Sequence, residues 1–255
     1  MAVSAQVPPT VRLVLVHGTR VSGVQWEVHR RWLSPTFDVA TPDLPGHGTL
    51  AKVPFTMPRA VESVAAAVEG GPAGLPVVLV GHSLGGYVAM EYAAEHPTRL
   101  AGLVLIGSTA VPAGPGAAAY RLLGKATSRA GRDRVGRMND RLLTRLVRPE
   151  VFAAIAADGY WFDGVSDAWA AVMAGGRPEL LSDVRCPVLI VRGQYDQLGV
   201  HAHRYAAAAR DARVRTVRGA SHLLPLTRPE QTCGIIATFA REVTQPSEGS
   251  GALTG

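Results

Sequence analysis

The sequence predicts an α/β fold: a mostly parallel sheet of about six strands with helices on both faces. Three observations carry this expectation. Apolar strand patterns at 11–17, 37–42, 76–81, 100–107, 187–193 and 213–218 alternate with helical patterns at 24–33, 58–69, 84–96, 200–210 and 229–242, as strand–helix–strand crossovers require. The run Val77-Val78-Leu79-Val80 is uninterrupted and mostly β-branched, the pattern of a strand buried on both faces of a parallel sheet. The chain has 255 residues, of which 47% are hydrophobic and only 18% charged. That suits one globular domain with a substantial core rather than a disordered chain.

The first strand, 11–16, runs into His17-Gly18-Thr19-Arg20, where Gly18 permits a tight turn. A helix and a short strand follow, then the turn Asp43-Leu44-Pro45-Gly46-His47-Gly48, in which Asp43 is expected to cap its own loop. The strand at 76–81 leads through Gly81-His82-Ser83-Leu84-Gly85-Gly86 directly into a helix with Tyr87, Met90 and Ala94 on one face, ended by Pro97. Glycines two residues either side of Ser83 let strand and helix approach closely, which predicts a strained, exposed turn with the serine at its apex. Residues 111–182 then break the alternation with helical pattern and no convincing strand. Cys186-Pro187-Val188-Leu189-Ile190-Val191-Arg192-Gly193 restores it and passes through Gln194-Tyr195 to Asp196. The last strand leads through Gly219-Ala220-Ser221 to His222, and Pro229 is suited to start the final helix. Residues 244–255 have linker composition and are expected to be disordered.

A nucleophilic serine needs a base, and the base needs an orienting acid. Ser83, Asp196 and His222 each follow a different predicted strand, so all three fall at the carboxyl edge of the sheet, where ligands of open α/β folds bind. Asp163, Asp167 and Asp183 follow no strand, and Asp43 comes too early in the chain order Ser–Asp–His. The other seven histidines are read as structural or solvated, with His17 and His82 ordering their turns through hydrogen bonds. The oxyanion donors are assigned to the backbone amides of Thr19 and Leu84.

These motifs, in this order over most of residues 11–243, make the chain resemble the α/β-hydrolases of the esterase, lipase, thioesterase and perhydrolase group. The resemblance implies an α/β-hydrolase fold with core segments 1–110 and 183–243 and a helical cap at 111–182. It also implies two-step acyl transfer on an ester, lactone or thioester, with no cofactor. Two features depart from many members. Ten residues before the first strand leave no room for an opening antiparallel hairpin, and the His-Gly-Thr-Arg loop lacks the multi-glycine form of some lipases. Epoxide hydrolases and dehalogenases of this fold carry aspartate at the elbow, where this chain has Ser83. Hydroxynitrile lyases carry lysine after the histidine, where this chain has Leu223. A non-hydrolytic cyclase, lyase or ligand-binding receptor is the alternative function.

Charge is concentrated in the insert. Residues 112–150 hold nine basic residues, among them Arg134, Arg137 and Arg141, against three acids; the excess of +6 equals the formal charge of the whole chain. Either this is a solvated helical face, or it captures an anionic substrate or an acidic carrier protein. No accompanying motif points to nucleic acid. Tyr160, Trp161, Phe162 and Trp169 cluster in the second half of the insert; with Arg20 they are candidate substrate-binding residues, or they pin the insert to the core. No apolar run reaches membrane-spanning length. Cys186 and Cys233 lack CxxC or histidine-cluster partners, which argues against a metal site and for a reduced, cytoplasmic setting, and the N-terminus has no basic secretory signature.

Overall fold

The computed structural model describes residues 9–111, 140–141 and 143–245. Its six strands are β1 (Arg12–Val16), β2 (Asp38–Ala40), β3 (Val77–His82), β4 (Gly102–Ile106), β5 (Val188–Tyr195) and β6 (Ala212–Ser221). They form one parallel sheet in the order β2-β1-β3-β4-β5-β6. Every predicted strand is present, within a few residues of its expected limits.

The inner strands β1, β3 and β4 are buried along their whole length, whereas the edge strand β6 is largely exposed or half-buried, with only Val217 and Ala220 buried. Successive side chains of a strand point to opposite faces, so the continuous apolar runs build two cores. One gathers Val14, Leu79, Leu103 and Ile190 under α2 (Met57–Glu69) and α3 (Leu84–Glu95). The other gathers Leu15, Val80, Val104 and Val191 under α1 (Glu27–Leu33) and the C-terminal helix (Pro229–Thr244). The helix expected at 24–33 opens instead with a 3₁₀ turn, Gly23–Trp26, before α1 begins. The final helix extends to Thr244, one residue into the segment expected to be disordered; residues 246–255 lie outside the described residues.

Of the insert, 112–139 and 142 are not described, so Arg134 and Arg137 lie outside the described residues. Its described part contains α4 (Pro149–Asp158) and α5 (Val165–Gly175). A separate apolar cluster joins Leu143, Val147, Val151 and Ile155 of the insert to Val21 and Val28 near β1 and to Leu226 after β6. The described part of the insert therefore packs against segments at the carboxyl ends of the strands. It also adds a feature that the sequence pattern did not announce, an isolated antiparallel bridge between Arg20 and Trp161. Among the described residues no helix is long and apolar enough to cross a membrane.

Candidate active site

The strand order fixes where the site forms. From β1 the chain moves to β2 on one side and then returns to β3 on the other. A crevice opens beyond the carboxyl ends at such a reversal. Gly18 to Val21 follow β1 there, and Ser83 follows β3.

Ser83 is the first residue beyond β3 and has φ 53°, ψ −118°, a conformation that L-residues hold only when their surroundings impose it. Its amide donates to the Ile106 carbonyl at 2.9 Å, which ties the turn to β4. A Cβ on Gly81 would lie 2.5 Å from the Gly86 Cα, and one on Gly85 would lie 2.6 Å from the His17 carbonyl oxygen. Only glycine allows these approaches. The serine is 3% exposed, which corrects the expectation of an exposed turn: strained it is, but it is buried, and it lines a cavity shared with the β1 loop, Leu143, Tyr160 and the His222 loop.

Asp196 and His222 are likewise the first residues beyond β5 and β6. The two strands pair up to Tyr195 opposite Ser221, after an irregularity between Gly193 and Tyr195, so the next residues on each are neighbours. His222 Nδ1 lies 3.0 Å from Asp196 Oδ1, and His222 Nε2 lies 3.1 Å from Ser83 Oγ. A carboxylate only accepts, so the ring proton sits on Nδ1 and Nε2 is left to accept from the serine hydroxyl. Burial alone would raise the Asp196 carboxyl. The hydrogen bond and charge of His222 and the Leu198 amide, 2.9 Å from Oδ1, outweigh it and hold the pKa below the ordinary carboxylate value. Gly107, at φ +59° after β4, leaves room for the pair: a Cβ there would sit 2.8 Å from both Asp196 Oδ2 and His222 Nδ1.

Two groups support this arrangement: His82, expected to order its turn, and Gln25, which was not singled out from the sequence. His82 Nε2 donates to the His222 carbonyl at 3.0 Å. Gln25 Oε1 accepts the Gly18 amide at 3.0 Å and lies 3.3 Å from His82 Nδ1. The β1 loop, the serine turn and the histidine loop thus meet at one buried point. Gln25 gave no signal because it sits in a stretch that reads as helix. Burial and the nearby His222 push His82 down to about 3, so it is uncharged. The other motif histidine, His17, bridges the Gly18 carbonyl (2.7 Å, Nδ1) and the Leu44 amide (3.0 Å, Nε2), ordering two loops. Asp43 closes its own turn by accepting from Gly23 and Thr49.

The residues named as oxyanion donors lie at the same place. Thr19 lines the cavity with Ser83, and Leu84 opens α3, where an amide has no acceptor within its own helix. A Cβ on Gly18 would come within 3.3 Å of Ser83 Cβ, so the β1 loop passes directly over the serine.

The cavity measures about 200 Å³. Arg20, Val21, Leu143, Tyr160, Leu223 and Leu226 add to its wall, so of the five candidate substrate-binding residues Arg20 and Tyr160 line it, whereas Trp161, Phe162 and Trp169 do not. Trp161 is a tie: its amide donates to the Arg20 carbonyl at 2.9 Å and its indole Nε1–H to Asp158 at 2.8 Å. Phe162 lies under the Arg20 guanidinium, 6.0 Å from its carbon, and Trp169 packs against the core cluster that includes Leu84 and Tyr87 of α3. Among the described residues no group of three or more His, Cys, Asp or Glu is arranged to hold a metal ion.

Comparison with known proteins agrees with this architecture. Lipase LipV of Mycobacterium tuberculosis is 41% identical over 96 residues, spanning 37% of this chain and 36% of the lipase. A pimeloyl-acyl-carrier-protein methyl ester esterase of Neisseria meningitidis serogroup C is 28% identical over 253 residues, 92% of this chain and 96% of that esterase. A thermophilic esterase from Thermogutta terrifontis, solved with malate bound, shares the fold with a TM-score of 0.72 at 26% identity, covering 93% of this chain and 92% of that one. The model of the alpha/beta hydrolase family matches residues 13–235, and the chain belongs to that family.

Proposed function

We propose that this chain is a serine hydrolase that cleaves a carboxylic ester, lactone or thioester through an acyl-enzyme on Ser83. One observation carries the reading: the relay from Ser83 Oγ through His222 to buried Asp196, at 3.1 and 3.0 Å, facing a cavity at the carboxyl edge of the sheet.

In the first step Ser83 Oγ attacks the acyl carbonyl and its proton passes to His222 Nε2. The Thr19 and Leu84 amides hold the tetrahedral oxyanion. As the carbonyl re-forms, the C–O or C–S bond breaks and His222 protonates the departing alcohol or thiol. Water then repeats the sequence on the acyl-serine and releases the acid. Asp196 keeps the imidazole in the productive tautomer and stabilises its charged form. No metal or cofactor takes part.

Arg20 and Tyr160 form the substrate wall in this reading, with Trp161, Phe162 and Trp169 holding that wall in place. Residues 111–182 act as the cap. The Neisseria relative is named for a carrier-bound methyl ester, and an acidic carrier is a suitable partner for the basic segment 112–150. Of its described arginines, Arg141 and Arg145 are exposed, while Arg148 is engaged by Glu150 and Glu230. Both cysteines are buried free thiols, in keeping with a cytoplasmic protein.

The test is Ser83→Ala with a panel of p-nitrophenyl and acyl-thioester substrates, alongside intact-protein mass spectrometry after a fluorophosphonate probe. Turnover is expected to fall about 10⁴-fold or more, and a covalent adduct should form on the wild type alone. Near-normal turnover by folded Ser83→Ala protein overturns the proposal.

A further inference from the structure

Among the described residues only two non-glycine residues have a left-handed φ: Ser83 at 53° and Arg20 at 71°. Both line the same cavity. Backbone strain of this kind persists where the surroundings over-determine it, and it concentrates at functional sites. For Ser83 the reason is the nucleophile turn. Arg20 needs a separate one.

Its backbone does not supply it. The Arg20 carbonyl accepts from the Trp161 amide, a contact open to any residue, and glycine or asparagine would adopt φ 71° at lower cost. The side chain has little structural employment either. It makes no ion pair among the described residues, and its guanidinium carbon stands 6.0 Å from the Phe162 ring centre, at the outer limit of a cation–π contact. Its surroundings are suited to an anion. Among the described residues lining the cavity, Arg20 alone carries a fixed charge, none is a carboxylate, and much of the rest is Val21, Leu143, Leu223 and Leu226. A guanidinium at an apolar cavity recognises a carboxylate well, because its fork matches both oxygens and little water competes. The volume, about 200 Å³, is below that of sites for drug-sized ligands, which favours a short acyl chain.

We propose that Arg20 reads an anionic group on the acyl chain, making the preferred substrate a half-ester or half-thioester of a short dicarboxylic acid. This rests on the hydrolase reading above and adds the substrate class to it.

The experiment compares wild type and Arg20→Gln on monomethyl glutarate and on neutral dimethyl glutarate, with methanol release as the readout. The ratio of kcat/KM, anionic over neutral, should fall about ten- to a hundredfold in the variant, chiefly through KM, and Arg20→Lys should recover part of it. An unchanged ratio, or equal losses on both esters, overturns the proposal. A second arm uses calorimetry with glutarate on Ser83→Ala protein, which needs no turnover. Binding that disappears when Arg20→Gln is added supports the anion site; absent binding, or binding that survives the change, overturns it. A wild type that turns over neither these esters nor the p-nitrophenyl and acyl-thioester panel, yet binds glutarate through Arg20, refutes the hydrolase reading while leaving the anion site standing.

Discussion

Asp196 shows how one buried carboxylate is kept charged. It is 3% exposed, and burial by itself disfavours its ionised form. The His222 ring and the Leu198 amide both donate to Oδ1, and these contacts win. Replacing it with asparagine keeps the volume but offers the imidazole either an amide donor or a weaker acceptor, so the wrong tautomer becomes competitive. We expect Asp196→Asn to lower kcat by about four orders of magnitude, as in a well-studied triad, with little change in KM, because Asp196 does not line the cavity. Steady-state kinetics on one activated ester decides it; a wild-type kcat would remove Asp196 from the mechanism.

At the scale of elements, the site is a consequence of three strands ending at one level. Ser83, Asp196 and His222 each occupy the first position past a strand, so parallel pairing aligns them, and glycines supply the clearances that side chains would block. Gly81 is the most demanding, since an added Cβ would meet the backbone of both Gly85 and Gly86 rather than a side chain that could rotate away. Gly81→Ala should therefore push α3 off β3 and cost about 3 kcal/mol, the upper end for overpacking a tight interior. Urea unfolding should show a lower midpoint at unchanged slope. An alanine tolerated without loss would mean that the strand–helix approach is not rigid. The insert is held by a different device, the apolar cluster of Leu143, Val147, Val151 and Ile155 against Val21 and Leu226, together with the Trp161 and Asp158 ties.

Considered as a whole, the molecule stores an acid sensitivity in its buried histidines. Burial pushes His17, His29 and His82 down to about 3, while the unfolded chain takes up protons near 6.5. Between those values the unfolded state binds more protons, so stability present above about pH 6.5 is lost as pH falls toward 3. Each histidine removes about 2 kcal/mol by pH 5, and three together rival the roughly 5–15 kcal/mol that holds a domain folded. Urea midpoints should therefore drop steeply from pH 7 to 5. His29, packed edge-on against Trp26 at 4.8 Å and outside the Ser83–His222–Asp196 relay, tests the effect: His29→Leu should flatten the slope by about 1 kcal/mol per pH unit between about pH 7 and 5. An unaltered slope would show that His29 is not a buried neutral base.

Taken by itself, the sequence determined the fold class, the six strands in their places, and the residues expected at the carboxyl edge. It could do so because these depend on local pattern: apolar runs for doubly buried strands, glycine spacing for a tight turn, and chain order for the residues past each strand. Tertiary structure alone decided what depends on distant segments meeting. Pairing of Tyr195 with Ser221 put Asp196 beside His222, and the folded chain leaves Ser83 buried, where the turn alone suggested exposure. The four insert aromatics looked equivalent in sequence, yet only Tyr160 faces the cavity, because the bridge from Trp161 to Arg20 sets which way that segment lies. Gln25 was illegible for the same reason. Its function depends on the Gly18 amide and on His82, fifty-seven residues away, and no local periodicity encodes a hydrogen bond that only the folded chain creates.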